Sequence, residues 1–180
     1  YKAQFAYSHD NDQVEIIGGS GQKAVIITDN NKISFKIDTN GYVTKPLNVV
    51  FHAFGGPTDI SQNNDIVFGQ ERFDIGSNYN TSTGEFTAPV LGYYHFYAQV
   101  YRQNSNDDAF WGFYLDNGSG YSQISEARIK TTGAAGYATL QSSIYWYMSS
   151  GHKIKCRVSN TSGNIPVSYT HLRAHETVYN

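Results

Sequence analysis

The chain has 180 residues and a net charge of -2, and only 16% of its residues are charged. Tyrosine (15), phenylalanine (10) and glycine (17) are abundant, which is typical of an all-β protein with many turns. The lack of a long basic block argues against nucleic acid and anionic lipid as partners. The lack of an apolar run of about 18 residues argues against membrane insertion.

Residues 1–45 consist of short apolar segments separated by polar turns. The segments 14–17, 24–27 and 33–37 each predict a strand of about four to six residues. Glycine, asparagine and aspartate between them favour turns, because these residues accept turn conformations or bond to nearby backbone. Strands this short bury little surface alone, so we expect a β-rich stalk or connector that packs against the same segment of neighbouring chains.

A longer β-rich region follows Pro46, which cannot continue a strand ladder because it lacks an N–H donor. Asp116, Asn117 and Gly118 give the clearest hairpin signal in this region. The strands that we expect here are 47–54, 66–68, 72–74, 85–88, 92–102, 109–116, 121–129, 136–148 and 152–159.

The strand 92–102 is the most informative segment, because large residues alternate along it with period two. One face carries Gly92, Tyr94, Phe96, Ala98 and Val100, and the other carries Tyr93, His95, Tyr97, Gln99 and Tyr101. In strand 136–148 the residues predicted to point inward are Ala138, Leu140, Ser142, Ile144, Trp146 and Met148. Tyr145 and Tyr147 therefore point outward. Cys156, the single cysteine, is in phase with Ile154 and Val158 and is predicted to be a core residue.

The spacing of aromatic residues around this strand resembles the signature of the C1q family. The residues that carry the resemblance are Phe68, Asp74, Tyr79, Phe86, Gly92, Tyr94 and Phe96. Ala98 departs from the signature, since an aromatic residue is usual there. The paired late strands of 136–158 also resemble the family. The resemblance implies a TNF/C1q-like jelly-roll β-sandwich, all-β in class, that assembles as a homotrimer.

The resemblance leaves two open questions about binding. The tyrosine belt of Tyr93, Tyr97, Tyr101, Tyr145 and Tyr147, together with His95, either contacts sibling subunits or meets a ligand, and we favour subunit contact. Some relatives bind calcium near the trimer axis, so the neighbours Asp107 and Asp108 are the candidate ligands. No cofactor is required, and solvated turn carboxylates are the favoured interpretation of this pair.

No catalytic constellation is present in the sequence. The Ser20 and Ser119 segments each lack a glycine that a nucleophile elbow needs, and His171 and His175 lack the intervening glutamate of a zinc protease. No carboxylate lies in an apolar run that would raise its pKa for acid catalysis. We therefore expect that the protein is not an enzyme.

The segment 37–46 resembles the junctions that precede C1q-like heads in phage structural proteins and tail fibres. We therefore predict an extracellular or virion-surface head that attaches to a host-surface protein or glycan. The alternatives are a secreted C1q-like lectin or adhesion protein, an enzyme that degrades polysaccharide, and a structural knob without a ligand. The predicted domains are a stalk (1–45), a C1q-like head (46–166) and an atypical tail (167–180).

The tail breaks the expected strand alternation and lacks the family's closing core strand. Its sequence His171–Thr177 resembles a translated sequencing adapter, so we hypothesise that the tail is not native. Core positions for Leu172 and Val178 would count against this hypothesis.

Overall fold

A computed structural model describes most of the chain. The described residues are 4–8, 13–17, 25–29, 32–37, 40–45, 47–56, 59–60, 62–103, 108–130, 137–161, 165–166 and 171–177. They form strands and turns, and no helix among them is long and apolar enough to cross a membrane. The chain divides into two compact units, Tyr1–Asn48 and Val49–Asn180. The domain boundaries at residues 45 and 166 stay predictions.

The first unit consists of two small antiparallel sheets. Strands β1 (Gln4–Ser8) and β2 (Gln13–Ile17) form one, and β3 (Val25–Asp29), β4 (Lys32–Ile37) and β5 (Val43–Thr44) form the other. The strands predicted at 14–17, 24–27 and 33–37 correspond to β2, β3 and β4. The sequence analysis did not predict β1 and β5, which pair with β2 and β4 respectively.

The described residues of the second unit form fourteen strands. In chain order they are β6 (Val50–Phe54), β7 (Asp59–Ile60), β8 (Asp65–Ile66), β9 (Gln70–Ile75), β10 (Tyr79–Asn80), β11 (Glu85–Thr87), β12 (Gly92–Gln103), β13 (Asp108–Asp116), β14 (Tyr121–Gln123), β15 (Ala127–Lys130), β16 (Tyr137–Met148), β17 (Lys153–Thr161), β18 (Ile165–Pro166) and β19 (His171–Thr177). Strands β7 and β18 pair only with each other, and the rest form two larger antiparallel sheets.

The two larger sheets form a jelly-roll sandwich, as predicted. The β12 sheet has the order β16-β12-β19-β6-β9. The β17 sheet has the order β10-β11-β17-β13-β14, with β15 added beside β13 and β8 beside β17. The buried faces of both sheets contribute to one hydrophobic core, in which Phe96 of the β12 sheet lies 6.0 Å from Phe113 of the β17 sheet between ring centroids.

The predicted alternation of the long strands is confirmed. Tyr94, Phe96, Ala98 and Val100 are buried, whereas Tyr93 is exposed. In β16, Leu140 and Met148 are buried, and the odd-numbered positions from 139 to 147 are exposed. Cys156 is fully buried beside Ile154 and Val158, and burial raises the pKa of its thiol well above the usual value. A buried neutral thiol acts as a small apolar core residue.

One predicted strand is interrupted. The segment 121–129 forms β14 and β15 with a break at residues 124–126, and the reason lies in the facing strand. A Cβ atom on Gly112 would lie 1.9 Å from the carbonyl oxygen of Ser125, so the close approach of this irregular backbone requires glycine. The Ser125 hydroxyl then accepts a hydrogen bond from the Phe113 N–H at 3.0 Å.

The tail contains a strand that the sequence analysis did not predict. Strand β19 lies between β12 and β6, with Leu172 and Ala174 in the core and Arg173 exposed. Pairing on both sides supplies the backbone hydrogen bonds of β19, and Leu172 and Ala174, among its described side chains, fill the core. The expected loss of strand alternation is therefore wrong. Burial of Leu172 counts against a foreign tail, but Val178 lies outside the described residues, and the origin of the tail stays a hypothesis.

Candidate functional site

Six of the seven signature residues, all except Gly92 at the start of β12, form a bonded and stacked cluster. The Asp74 carboxylate accepts a hydrogen bond from the Tyr79 N–H at 2.8 Å. The Tyr79 hydroxyl donates to the Phe68 carbonyl (3.3 Å) and accepts from the Phe68 N–H (3.2 Å). The ring of Phe51 stacks between Tyr79 (4.8 Å) and Phe86 (5.2 Å). These residues therefore serve the fold, and burial raises the pKa of the Tyr79 hydroxyl well above its usual value.

The outer face of the β12 sheet carries a row of exposed aromatic rings. Tyr93 (47% exposed), Tyr145 (66%) and Tyr147 (52%) belong to β12 and β16, which pair along their whole length. The Tyr93 and Tyr147 rings lie 4.9 Å apart, and His95 stacks on Tyr145 at 4.4 Å. We call these four side chains the aromatic strip. The two ring pairs together present aromatic carbon, three tyrosine hydroxyl groups and an imidazole on the outer face of the sheet.

The other tyrosines predicted on this face are less exposed to solvent. Tyr97 and Tyr101 are half-buried. The Tyr97 hydroxyl donates to Gln99 Oε1 at 3.0 Å, and His95 Nε2 lies 2.7 Å from the Ser143 hydroxyl. Hydrogen bonds within the face therefore fix the orientation of His95 and Tyr97.

An apolar cavity of about 430 Å³ continues this face toward the opposite edge of the sheet. Strands β16 and β9 are the two edges, and the aromatic strip lies on the β16 side. Phe73 of β9 is 47% exposed and lies against the cavity. The cavity is lined by Val50, Phe51, Phe73, His95, Tyr97, Arg173 and Ala174. One sheet face thus offers a projecting row of rings at one side and an apolar hollow at the other.

The candidate calcium ligands are not brought into a described site. Asp107 lies outside the described residues, and Asp108 begins β13. Among the described residues, no group of three or more histidine, cysteine, aspartate or glutamate side chains could hold a metal ion. Calcium binding at this pair therefore stays a prediction.

The outer face of the β17 sheet carries a network of charged groups that sequence reasoning missed. Asp65 of β8 receives hydrogen bonds from Lys155 Nζ (2.8 Å) and Arg157 Nε (2.6 Å). Lys155 is only 7% exposed, and its ammonium group lies 3.7 Å from the centre of the Tyr121 ring. The charged positions alternate with the core residues of β17, which is a signal for an outer face, but nothing in the sequence indicates the pairing with β8.

The electrostatics of this network favour the ionised forms of its carboxylates. Burial alone would raise the pKa of Asp65, but hydrogen bonds from Arg157 and Lys155 outweigh it and lower the pKa. The Tyr121 hydroxyl donates a hydrogen bond to Glu85, which lowers the pKa of that carboxyl group. Burial and the same bond raise the pKa of Tyr121. We call Asp65, Glu85, Tyr121, Lys155 and Arg157 the charged network.

A second cavity, of about 530 Å³, has a polar lining. It lies between the turn after β9, strand β10 and the end of β11. Its lining residues are Ser77, Asn78, Tyr79, Asn80, Thr81, Thr87 and Pro89, none of which is charged. The sequence analysis singled out only Tyr79 among them, as a signature residue, because short polar turns are common in β proteins and give no signal for a site.

Comparisons with known proteins agree with this architecture. The globular domain of zebrafish complement 1qA matches with a TM-score of 0.61 and 13% identity over 73% of this chain and 99% of that chain. Eiger TNF from S. frugiperda matches with a TM-score of 0.61 and 14% identity, over 74% and 94% respectively. Murine APRIL at pH 5.0 matches with a TM-score of 0.58 and 12% identity, over 71% and 98%. No curated protein matches the sequence.

The fold therefore defines a head of the TNF/C1q-like jelly-roll class. The C1q domain family matches residues 52–154, which is more than half of the sequence, and the chain belongs to that family. C1q domains are typically binding modules rather than enzymes, and they are generally extracellular.

Proposed function

We propose that the head assembles as a homotrimer through the aromatic strip and attaches a virion or tail fibre to a host surface. The aromatic strip is the observation that carries this proposal, because three large rings on one sheet face remain about half exposed or more and could be buried in a subunit contact. Tyrosine suits a subunit interface, since it buries a large ring at a small cost in side-chain entropy. The tyrosines and His95 are then interface residues.

The positions of the strip and the apolar cavity support a ring of subunits rather than a two-fold pair. The strip lies near edge strand β16, and the cavity reaches edge strand β9 through Phe73. A contact between two different patches repeats around an axis, and it gives a closed ring when the rotation between neighbouring subunits closes. The three tyrosines of the strip on one protomer would cover the cavity of the next, whose lining includes His95, so that each subunit gives one patch and receives the other.

Attachment to a host is supported by what such an assembly would leave free. With the aromatic strip buried between subunits, the β17 sheet and the ends of the sandwich face outward, and loops at such ends commonly carry binding residues. The virion setting is supported by the sequence of 37–46 and by the short strands that precede it, which fit a stalk. The expected partner is a host-surface protein or glycan.

Light scattering on the full chain tests the assembly. The expected molar mass is three times the 20.1 kDa of one chain, with and without a calcium chelator. A trimer that falls apart in chelator would instead place a metal in the interface, whereas a monomer under every condition would contradict the proposed trimer. Adsorption of the labelled trimer to intact bacterial cells, measured over a panel of species, tests attachment, and its absence throughout the panel would contradict that step.

A further inference from the structure

We propose that the polar cavity beside β10 is a binding site for a neutral sugar residue of a host glycan. This inference rests on the proposed attachment function and names the ligand chemistry that the head would recognise. The cavity volume of about 530 Å³ lies within the range of roughly 300–1,000 Å³ typical of ligand sites. All of its lining residues belong to one chain, so the site does not need a residue from another subunit.

The chemistry of the lining favours a ligand that is rich in hydroxyl groups and carries no charge. Hydroxyl groups come from Ser77, Thr81 and Thr87, and amide groups come from Asn78 and Asn80. Hydroxyl groups both donate and accept hydrogen bonds, and an amide offers one of each kind, as a sugar diol does. Since no lining residue is charged, nothing in the cavity would compensate the desolvation of a charged ligand.

Several of these polar groups have hydrogen-bonding capacity left over. Asn78 Nδ2 donates to the Ile75 carbonyl at 3.2 Å, which leaves its Oδ1 as an acceptor. Asn80 Oδ1 accepts from the Ser82 N–H at 2.9 Å, which leaves its Nδ2 as a donor. Within the described part of the chain, the hydroxyl groups of Thr81 and Thr87 have no hydrogen-bond partner although both residues are half-buried.

The walls of the cavity are held in place by the backbone. The Thr87 N–H donates to the Asn78 carbonyl at 2.8 Å, which ties the end of β11 to the turn after β9. The Gly84 N–H donates to the Asn80 carbonyl at 2.8 Å, which closes the turn after β10. A preformed site avoids the entropy cost of ordering loops when a ligand binds. The site is therefore ready to hold one sugar with directed hydrogen bonds.

Amide NMR shifts of the full chain, titrated with glucose, galactose and N-acetylglucosamine, test the proposal. We expect at least one neutral sugar to shift the amides of 77–81 and 87, with a Kd of about 1 mM because the ligand is small. N-acetylneuraminic acid, which is charged, should bind at least tenfold more weakly. Preference for the charged sugar, shifts located elsewhere, or no shift with any neutral sugar would each overturn the site.

A double variant, Thr81→Val with Thr87→Val, separates binding from folding. Valine keeps the shape of threonine and removes only hydroxyl groups that hold no described protein partner, so the fold and the molar mass should be unchanged. We expect a loss of sugar affinity of about tenfold or more. The matched control Thr44→Val removes an exposed hydroxyl in the first unit and should leave affinity unchanged. Equal affinity in the double variant would overturn the assignment.

Two oligosaccharide arms distinguish the source of the sugar. One uses an oligosaccharide released from a glycoprotein, and the other uses a fragment of a bacterial surface polysaccharide. Binding of either one at 77–87 supports the site, and failure of both overturns it. A trimer that binds no sugar would refute this inference and leave the proposed assembly standing, whereas a monomer that binds sugar would do the reverse.

Discussion

The two outer faces of the head carry aromatic rings in different surroundings. On the β17 sheet, the Tyr121 ring covers the ammonium group of Lys155 while its hydroxyl bonds to Glu85. On the β12 sheet, Tyr145 stacks on His95 and remains 66% exposed. On the β17 sheet, the ring and the hydroxyl group of Tyr121 both contact other side chains of the same chain. On the β12 sheet, most of the Tyr145 ring remains exposed to solvent. Aromatic rings on an outer face therefore indicate a contact with another molecule only where they remain exposed, as on the β12 sheet.

A charge placed in the aromatic strip should produce the largest difference between the two faces. Tyr145→Glu should lower the trimer association constant by about 100-fold or more, because a buried unpaired carboxylate is costly in an interface. Light scattering across a dilution series measures the effect. The control Ser122→Glu adds the same charge to an exposed position on the β17 sheet and should leave the mass unchanged. Equal behaviour of the two variants would refute the difference between the faces.

Removing the central carboxylate of the charged network should cost the most stability on the other face. Asp65→Asn leaves the nearly buried Lys155 ammonium without its ionic partner, and we expect a loss of about 3 kcal/mol in the free energy of unfolding. Chemical denaturation measures it. The control Glu71→Gln neutralises an exposed carboxylate of β9 and should change stability by less than about 0.5 kcal/mol. A loss of similar size in both variants would show that the network contributes little.

A smaller effect should come from the Tyr121 hydroxyl. Tyr121→Phe keeps the ring over Lys155 but removes the hydrogen bond to Glu85, and we expect a loss of about 1 kcal/mol in unfolding free energy. Tyr114→Phe is the control, since its hydroxyl bonds to the exposed side chain of Gln123. Thermal unfolding of both variants at equal concentration checks the difference. A larger loss of unfolding free energy in Tyr114→Phe than in Tyr121→Phe would contradict the stabilising role of the bond between Tyr121 and Glu85.

The most gradual effect is the response to acid. Hydrogen bonds from Arg157 and Lys155 hold the pKa of Asp65 below its ordinary value of 3.8, despite its partial burial. A lowered pKa means that this stabilisation is complete above the unfolded-state pKa and is lost as pH falls through the folded-state pKa. Unfolding free energy should therefore fall as the pH drops below about 4. Asp65→Asn should flatten this response, and an unchanged slope in the variant would contradict the role of Asp65.

The sequence predicts the sandwich well where side chains alternate along long strands. The inward set of 92–100 and the tyrosines opposite it follow from period two alone, because a strand buried on one face must alternate. The position of β19 between β12 and β6 does not follow, since its order in the sheet depends on contacts with strands distant in sequence. The split of 121–129 depends on the close approach of Ser125 to Gly112, which is a contact between distant strands.

The candidate sites also differ in how far the sequence predicts them. The aromatic strip is predictable because its residues belong to two long strands with clear periodicity. The charged network joins Asp65 to Lys155 across about ninety residues of sequence, and the polar cavity joins a turn to the end of another strand. Contacts of this kind are set by sheet order, which local patterns do not encode.

Covalent labelling of tyrosine side chains, followed by mass spectrometry, tests the central claim that the strip lies between subunits. Tyr145 and Tyr147 should be protected at concentrations where the trimer forms and should become reactive on dilution to the monomer. Tyr114 on the β17 sheet serves as the internal reference and should react equally in both states. If Tyr145 and Tyr147 stay fully reactive in the trimer, the aromatic strip is not the subunit interface.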